Sequence, residues 1–335
     1  MARTCHPSQR TIVISIGAVA IIQSLGRTPP VMPIDNGASH LPRNGTMTKD
    51  FPEIVWLLSF PNSGTTYTLK SVQALSGTTT ATNYGALEVP NSTEMSKLLG
   101  DDGPFLRLPD RPLPTNYLLT KTHCDRKPFP NASFPMRCRT GVSLNDETET
   151  TAYSTPVRRA IHLIRNPMDN TVAKWNYFRK TQQDHRGDAS TTAILYHYIQ
   201  KNFTRWCQYL DLEAKQQQED HVRWNASFYA TYMEPLPCAL DYVRYFEWHR
   251  AATTELKLKE RMMVYYEDYP VAMDLVLQFL ELVPRSMNQY YSSAPVYSRN
   301  YYNHSSELRR KVQRLGAAMC DAETWKLFER YFAVG

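Results

Sequence analysis

A short polar segment behind an apolar run has the residue types of an anion-binding turn. Residues 54–58 are continuously apolar, which is typical of a buried parallel strand, and Ser63, Gly64, Thr65 and Thr66 follow just before a stretch that favours a helix. Backbone amides at a helix N-terminus bind anions, glycine allows close backbone approach, and hydroxyl groups add donors. The segment lacks the G-K-S/T ending of nucleotide-kinase phosphate loops, which disfavours a kinase. The sequence predicts a phosphate-binding turn here.

A lysine and a histidine stand at the end of a second predicted strand, residues 117–120. Lys121 and His123 follow it directly, separated by Thr122. A histidine side chain can be neutral near pH 7 and can accept a proton from a hydroxyl group. His123 is therefore a candidate general base, and Lys121 is a candidate stabiliser of negative charge. The alternative is that both side chains are merely solvated at a strand end.

An arginine follows a third predicted strand, residues 159–164. Arg165 precedes Asn166 and Pro167, and proline suits the first turn of a helix. A guanidinium group at a strand end can form a bidentate pair with a phosphate. Arg165 is therefore a candidate phosphate ligand, the alternative being a surface ion pair. Asp169 fits a stabiliser of the first helical turn better than a catalyst.

The order and spacing of these motifs resemble those of the sulfotransferases that use 3′-phosphoadenosine-5′-phosphosulfate (PAPS). The chain has P-x-S-G-T-T, K-T-H, R-N-P and Y-E-D in this order between residues 52 and 283. The resemblance implies sulfuryl transfer from PAPS to a hydroxyl or amine, with the nucleotide PAP as product and no metal ion. It also implies an α/β fold with a mainly parallel central sheet flanked by helices, the P-loop NTPase-like sulfotransferase fold.

The resemblance also implies roles for single residues. The 5′-phosphosulfate would lie in the turn formed by Asn62, Ser63, Gly64, Thr65, Thr66 and Tyr67. His123 would be the general base, Lys121 would lie beside the sulfuryl group, and Arg165 would bind the 3′-phosphate that distinguishes PAPS from ordinary adenine nucleotides. Tyr242 would contact the adenine ring. Ala173 stands where the family has a serine that binds the 3′-phosphate.

Two positions depart from the family pattern. The family lysine that neutralises the leaving oxygen falls on Asn62, which brings an amide and no charge, and the family serine falls on Ala173. We hypothesise that Lys121 partly replaces the missing charge and that Thr171 substitutes weakly for the serine. The departures leave open a catalytically inactive, membrane-anchored protein that binds PAP or PAPS. Another phosphate-loop nucleotide transferase is the third alternative.

Apolar runs that alternate with helical patterns predict the elements that would position these residues. Strands are predicted at residues 54–58, 117–120, 159–164 and 262–266. Helices are predicted at residues 67–75, 167–175, 191–213, 237–257, 271–282, 307–317 and 322–332. The alternation favours a mainly parallel sheet with right-handed crossovers. Residues 124–156 show no clear periodicity, and a loop or lid is predicted there.

The N-terminal region predicts a targeting segment. Residues 11–25 are apolar apart from their hydroxyl groups and one glutamine, with arginines before them and prolines after. The run is shorter than the roughly 20 residues that cross a bilayer comfortably. A signal anchor and a cleaved signal peptide therefore both remain, with the anchor favoured. The predicted organisation is a targeting segment at residues 1–26, a stem at residues 27–50 and a sulfotransferase domain at residues 51–335.

Glycosylation sequons and cysteines favour a lumenal chain. N-x-S/T sequons occur at Asn44, Asn91, Asn131, Asn202, Asn225 and Asn303. Five cysteines follow the apolar segment, enough for two disulfides and one free thiol. Cys124–Cys138 and Cys207–Cys238 are the pairs closest in sequence, although sequence alone leaves the connectivity open. We expect a single-pass Golgi membrane protein with a lumenal catalytic domain, or a secreted protein after signal cleavage.

The composition is that of a globular enzyme with an anionic substrate. Hydrophobic residues make up 42% of the chain and charged residues 21%, and the net charge is +6. The positive charge is mild and dispersed, so nucleic-acid binding is disfavoured. No cysteine and histidine cluster has the spacing of a metal site. Basic charge and lumenal placement together favour a glycan or glycoprotein as the acceptor.

Overall fold

A parallel sheet of six strands lies at the centre of the described structure. The computed structural model describes residues 52–82, 96–97, 111–124, 134–142, 150–152, 157–183, 202–218, 226–234, 236–269, 271–285 and 304–333. All of them belong to one unit, Met47–Gly335. The predicted targeting segment and stem lie outside the described residues. Within the described ranges, no helix has the length and apolar character needed to cross a membrane.

The strands match the α/β class predicted from the sequence. They are β1 (Glu53–Ser59), β2 (Ala81–Thr82), β3 (Ser96–Lys97), β4 (Tyr117–Thr122), β5 (Thr140–Val142), β6 (Thr150–Ala152), β7 (Arg159–Ile164) and β8 (Glu260–Tyr265). Six of them form one sheet in the order β3-β2-β4-β1-β7-β8, and every neighbouring pair is parallel. β5 and β6 form a separate antiparallel pair. The prediction of a mainly parallel central sheet is confirmed.

Helices flank the sheet. They are α1 (Thr65–Ser76), α2 (Phe134–Arg139), α3 (Pro167–Gln183), α4 (Phe203–Gln218), α5 (Ala239–Thr254), α6 (Ala272–Phe279), α7 (Ser306–Met319) and α8 (Ala322–Phe332). A short helical segment, Ala226–Phe228, continues into a wider π-type turn at Tyr229–Met233. The predicted helices are present, and most of their ends agree within three residues. The exceptions are α3 and α4, which extend to Gln183 and Gln218, beyond the predicted ends at residues 175 and 213. Residues 191–201 lie outside the described residues.

The apolar run in β1 is explained by burial on both faces of the sheet. Trp56 and Leu58 point into a core cluster that α3, α4, α5, α7 and α8 share. Val55 and Leu57 alternate with them and point into a second cluster, shared with α1 and α6. A strand covered by helices on both sides needs apolar residues at successive positions, which is the pattern seen in the sequence.

Two predictions about secondary structure were wrong. Residues 124–156 are not a plain loop, because they include α2, β5 and β6. These elements are only 3 to 6 residues long, too short to show a period in sequence. The fourth predicted strand also ends one residue early, since Tyr266 opens a 3-10 turn, Tyr266–Asp268.

Both disulfides proposed from sequence proximity are present. Cys124 is bonded to Cys138, and Cys207 is bonded to Cys238. Cys320 is a free thiol, and its burial raises its pKa to about 12. A thiol with that pKa is protonated at neutral pH and therefore a poor nucleophile.

Candidate functional site

The turn between β1 and α1 has an unusual backbone that only certain residues adopt easily. Asn62 has φ 66° and Gly64 has φ 98°, both in the left-handed region. Asparagine tolerates this region better than most residues, and glycine enters it without strain. Gly64 also packs under the ring of Tyr266, which would overlap any added Cβ. Glycine is therefore required here both by the backbone and by the close aromatic ring.

Gly64 is the N-cap of α1, so the turn leads directly into the first turn of this helix. No side chain caps this end of the helix. Backbone amides in the first turn of a helix and the helix dipole favour an anion at such a place. This geometry agrees with the phosphate-binding turn predicted from the sequence, although the role itself stays a prediction.

The hydroxyl groups of the turn differ in their surroundings. Ser63 is fully buried, and its Oγ accepts a hydrogen bond of 3.0 Å from Nδ2 of Asn170. Thr65 is buried, and its Oγ1 lies 2.6 Å from Oγ of Ser59. Thr66 is exposed. Two of the three predicted hydroxyl donors therefore also hold the turn in shape.

Tyr67, the last residue of the predicted turn, belongs to an aromatic cluster. Its ring contacts the rings of Tyr266 and Tyr269, with centroid distances of 6.0 and 5.4 Å. Its side chain is half-buried. The structure therefore gives Tyr67 a packing role, and the predicted contact with the 5′-phosphosulfate stays a prediction.

His123 is oriented by the strand beside it. Its Nδ1 lies 2.6 Å from the backbone oxygen of Ser59. A carbonyl oxygen can only accept a hydrogen bond, so Nδ1 must carry a proton, and the lone pair of the neutral ring is then on Nε2. The indole Nε1 of Trp248 donates to the backbone oxygen of His123, and the next residue, Cys124, is held by a disulfide. This arrangement suits a general base acting through Nε2.

Lys121 lies inside the sheet near its carboxyl edge. Its register partners are Leu57 on β1 and Thr82 on β2, and only 6% of the residue is exposed. It stands two positions before His123, which follows the last residue of β4. The predicted compensation for the uncharged Asn62 stays a prediction.

Arg165 reaches the turn that follows β1. Its Nη1 donates a hydrogen bond of 2.9 Å to the backbone oxygen of Asn62. The guanidinium lies over the ring of Tyr266, with 4.6 Å from Cζ to the ring centroid. Its Nε is buried and has no hydrogen-bond partner among the described residues. The two segments predicted to hold opposite ends of one nucleotide are therefore in direct contact.

The turn that carries Arg165 is held by residues from distant parts of the chain. The hydroxyl of Tyr245 donates to the backbone oxygen of Arg165. The backbone N–H of Asn166 donates to Oε1 of Glu267 at 2.7 Å, and the hydroxyl of Tyr331 donates to Oε2 at 2.6 Å. Glu267, the first acidic residue of the Y-E-D motif, therefore has a structural role here.

Three other predicted residues lie away from these contacts. Ala173 is half-buried on α3, and the neighbouring Thr171 is buried with its hydroxyl donating to the backbone oxygen of Pro167 at 3.2 Å. Tyr242 has no exposed surface and lies within the core cluster. Its burial raises the pKa of its hydroxyl above the usual range. The predicted roles of Ala173 and Tyr242 toward the nucleotide stay predictions.

Five residues of the site were not among the predicted site residues: Ser59, Asn170, Tyr245, Trp248 and Tyr266. Asn170 could have been found, because it stands one helical turn after Asn166 and so faces the same way. Tyr266 directly precedes the acidic pair of the Y-E-D motif. Tyr245 and Trp248 lie in a helix with many aromatic residues, and local sequence does not indicate which of them would reach the site.

Comparisons with known proteins give little beyond this geometry. No family model matches the chain, and no curated protein matches it. Among the described residues, no group of three potential metal ligands is found. Among solved structures, the chain is similar to the mouse sulfotransferase SULT7A1 complexed with PAP, with 12% identity, 84% of this chain and 90% of that chain covered, and a TM-score of 0.36. A TM-score this low carries no weight for fold or function.

Proposed function

We propose that this chain is a sulfotransferase that moves a sulfuryl group from PAPS to a hydroxyl or amine. The observation that carries the proposal is the 2.9 Å hydrogen bond from Nη1 of Arg165 to the backbone oxygen of Asn62. It joins the candidate 3′-phosphate ligand to the turn proposed for the 5′-phosphosulfate. One nucleotide with a phosphate at each of these positions could touch both segments at once.

The proposed reaction is an in-line displacement at sulfur. The acceptor oxygen or nitrogen forms a bond to sulfur while the bond from sulfur to the bridging oxygen breaks, and PAP leaves with that electron pair. Nε2 of His123 takes the proton of the acceptor. The amides at the start of α1 and the ammonium of Lys121 stabilise the negative charge on the sulfuryl oxygens and on the leaving phosphate.

For the acceptor we propose a glycan or glycoprotein, and for the location the lumenal side of the Golgi membrane. The Cys124–Cys138 and Cys207–Cys238 disulfides support an oxidising compartment. Asn202, in a sequon, is exposed, which supports glycosylation. Replacing Asn202→Gln should remove one glycan, seen as a smaller shift on electrophoresis after enzymatic deglycosylation.

Asn62 favours a second candidate, a protein that binds PAP or PAPS without turnover. Asn62 has a neutral amide where the sulfotransferase family has a lysine, so the negative charge that develops on the leaving oxygen is less stabilised. In this case Arg165 and the amides of α1 would still bind the nucleotide. The two candidates therefore differ in turnover and not in binding.

A transfer assay with labelled donor separates the candidates. Full-length chain in detergent is incubated with radiolabelled PAPS and a panel of glycans, glycoproteins and small alcohols, with and without a chelator. We expect labelled product that does not depend on divalent metal and is lost with His123→Ala. Binding of PAP with no product on any acceptor would support the second candidate. A chain that neither binds PAP nor transfers sulfate would contradict both.

A further inference from the structure

The hydroxyl of Ser59 lies between the turn proposed for the donor and the candidate base. Its Oγ is 2.6 Å from Oγ1 of Thr65 and 3.2 Å from Nδ1 of His123. The residue is fully buried at the end of β1. One side chain on the central strand therefore contacts both the first residue of α1 and the imidazole after β4.

We propose that Ser59 is a positioning residue that couples occupation of the donor turn to the orientation of His123. The inference rests on the proposed function and assigns to this buried serine a part in the same reaction. The new element is the link between the donor turn and His123, to which the resemblance gives separate roles.

The directions of the hydrogen bonds support this coupling. Nδ1 of His123 carries a proton, because it faces the backbone oxygen of Ser59 at 2.6 Å. The hydroxyl oxygen of Ser59 is then a second acceptor for the same N–H, and its own proton can go to Thr65. The proton of Thr65 is thereby released toward an anion at the start of α1. Each group then donates a hydrogen bond to the next, in the order His123, Ser59, Thr65 and the anion.

Such a chain has consequences that simple packing would not have. Hydrogen bonds in a row polarise one another, so an anion at one end strengthens the bond that Nδ1 makes at the other. An imidazole held more firmly at Nδ1 keeps Nε2 aimed at the acceptor, and the positive charge that it gains is better stabilised. A serine that only joined β1 to α1 would affect the stability of the fold and leave the response of His123 to the nucleotide unchanged.

The test compares Ser59→Ala with Ser59→Thr, which keeps a hydroxyl, and with Thr65→Val, which breaks the chain at its other end without changing side-chain volume. Ser71→Ala is the control, because Ser71 is also buried and its Oγ has no partner among the residues described. The measurements are kcat, KM for PAPS, the Kd for PAP, and the ¹⁵N resonance of Nδ1 of His123 with and without PAP.

For Ser59→Ala we expect kcat to fall about five-fold, the size of one neutral hydrogen bond, with KM for PAPS nearly unchanged. The Nδ1 resonance should move on PAP binding in the parent and in Ser71→Ala, but not in Ser59→Ala or Thr65→Val. Ser59→Thr should recover most of the lost kcat. A PAP-dependent shift that survives in both Ser59→Ala and Thr65→Val would overturn the coupling while leaving the proposed function intact. Failure of the parent to bind PAP would overturn the proposed function itself.

Discussion

At the scale of single residues, the protonation of His123 follows from one backbone contact. Because Nδ1 donates to the oxygen of Ser59, the lone pair of the neutral ring is on Nε2. Replacing His123→Ala should lower kcat by about 10²–10⁴-fold, the usual contribution of a general base. The Kd for PAP should hardly change, because no predicted nucleotide contact is lost. Isothermal titration and transfer assays measure the two quantities, and near-normal kcat would exclude His123 as the base.

Gly64 gives a second prediction at this scale. Both Gly64 and Gly77 have positive φ, at the two ends of α1, so replacing either by alanine costs roughly 1 kcal/mol of backbone strain. An alanine Cβ at position 64 would also overlap the ring of Tyr266, whereas at position 77 it meets only the flexible end of the Arg285 side chain. Gly64→Ala should therefore weaken PAP binding at least ten-fold, roughly 1.4 kcal/mol. Gly77→Ala should lower thermal stability and leave the Kd for PAP unchanged, and equal losses of affinity would argue against the turn as the site.

At the scale of elements, Glu267 joins the turn after β7 to the C-terminal helix. Its carboxylate accepts from the N–H of Asn166 and from the hydroxyl of Tyr331. In Glu267→Ala both donors lose their acceptor, at a cost of about 1–3 kcal/mol for a buried unpaired group. We expect a lower urea midpoint and weaker PAP binding, because Arg165 then moves more freely. Glu267→Gln is the matched control, since its amide oxygen can still accept from Asn166 and should preserve most of the affinity.

Most strands and helices could be predicted, because each of them has a recognisable pattern in its own stretch of sequence. β1, β4 and β7 are apolar runs or nearly so, and a strand buried on both faces has that signature in any context. β8 is a half-buried edge strand that was found from the apolar run in its second half. The contact of Arg165 with Asn62 has a simple geometric reason, because both residues follow strands of the parallel sheet, and the carboxyl ends of parallel strands share one edge. The two-residue strands β2 and β3 were not found, because so few residues show no period.

Contacts between distant residues explain what the sequence left open. Tyr266 packs against Gly64, Tyr245 holds the backbone of Arg165, and Ser59 lies beside His123, yet each pair is far apart in the chain. Nothing in the local sequence distinguishes these side chains from ordinary core residues. Tyr242 illustrates the same point. The resemblance predicts that it contacts adenine, but its side chain is fully buried in the core, and local sequence does not reveal that burial.

At the scale of the whole molecule, a buried histidine pair makes the fold sensitive to acid. Nε2 of His162 and Nδ1 of His249 are 2.8 Å apart, and both residues are fully buried. Burial, and to a lesser degree the charge of Arg261, lower the pKa of His162 from 6.5 to about 3. Below pH 6.5, His162 therefore binds a proton in the unfolded chain but not in the folded chain. The free energy of unfolding falls as the pH drops from 6.5 toward 3.

For His162 alone, the expected loss of stability between pH 7 and pH 5 is about 2 kcal/mol. Urea unfolding at pH 7, 6 and 5 measures it through the midpoint and slope. His162→Gln removes the titrating group, so its stability should fall less steeply with acid even if it is lower at pH 7. Identical pH slopes for the parent and the variant would show that this pair does not control acid stability.

The proposed function requires one nucleotide to contact both turns, and the affinity for PAP compared with adenosine 5′-phosphate tests this directly. The two ligands differ only in the 3′-phosphate, which we assign to Arg165. The full-length chain should bind PAP at least ten-fold more tightly, and Arg165→Gln should remove that preference while keeping binding of adenosine 5′-phosphate. Equal affinities of the parent chain for the two nucleotides would contradict the account.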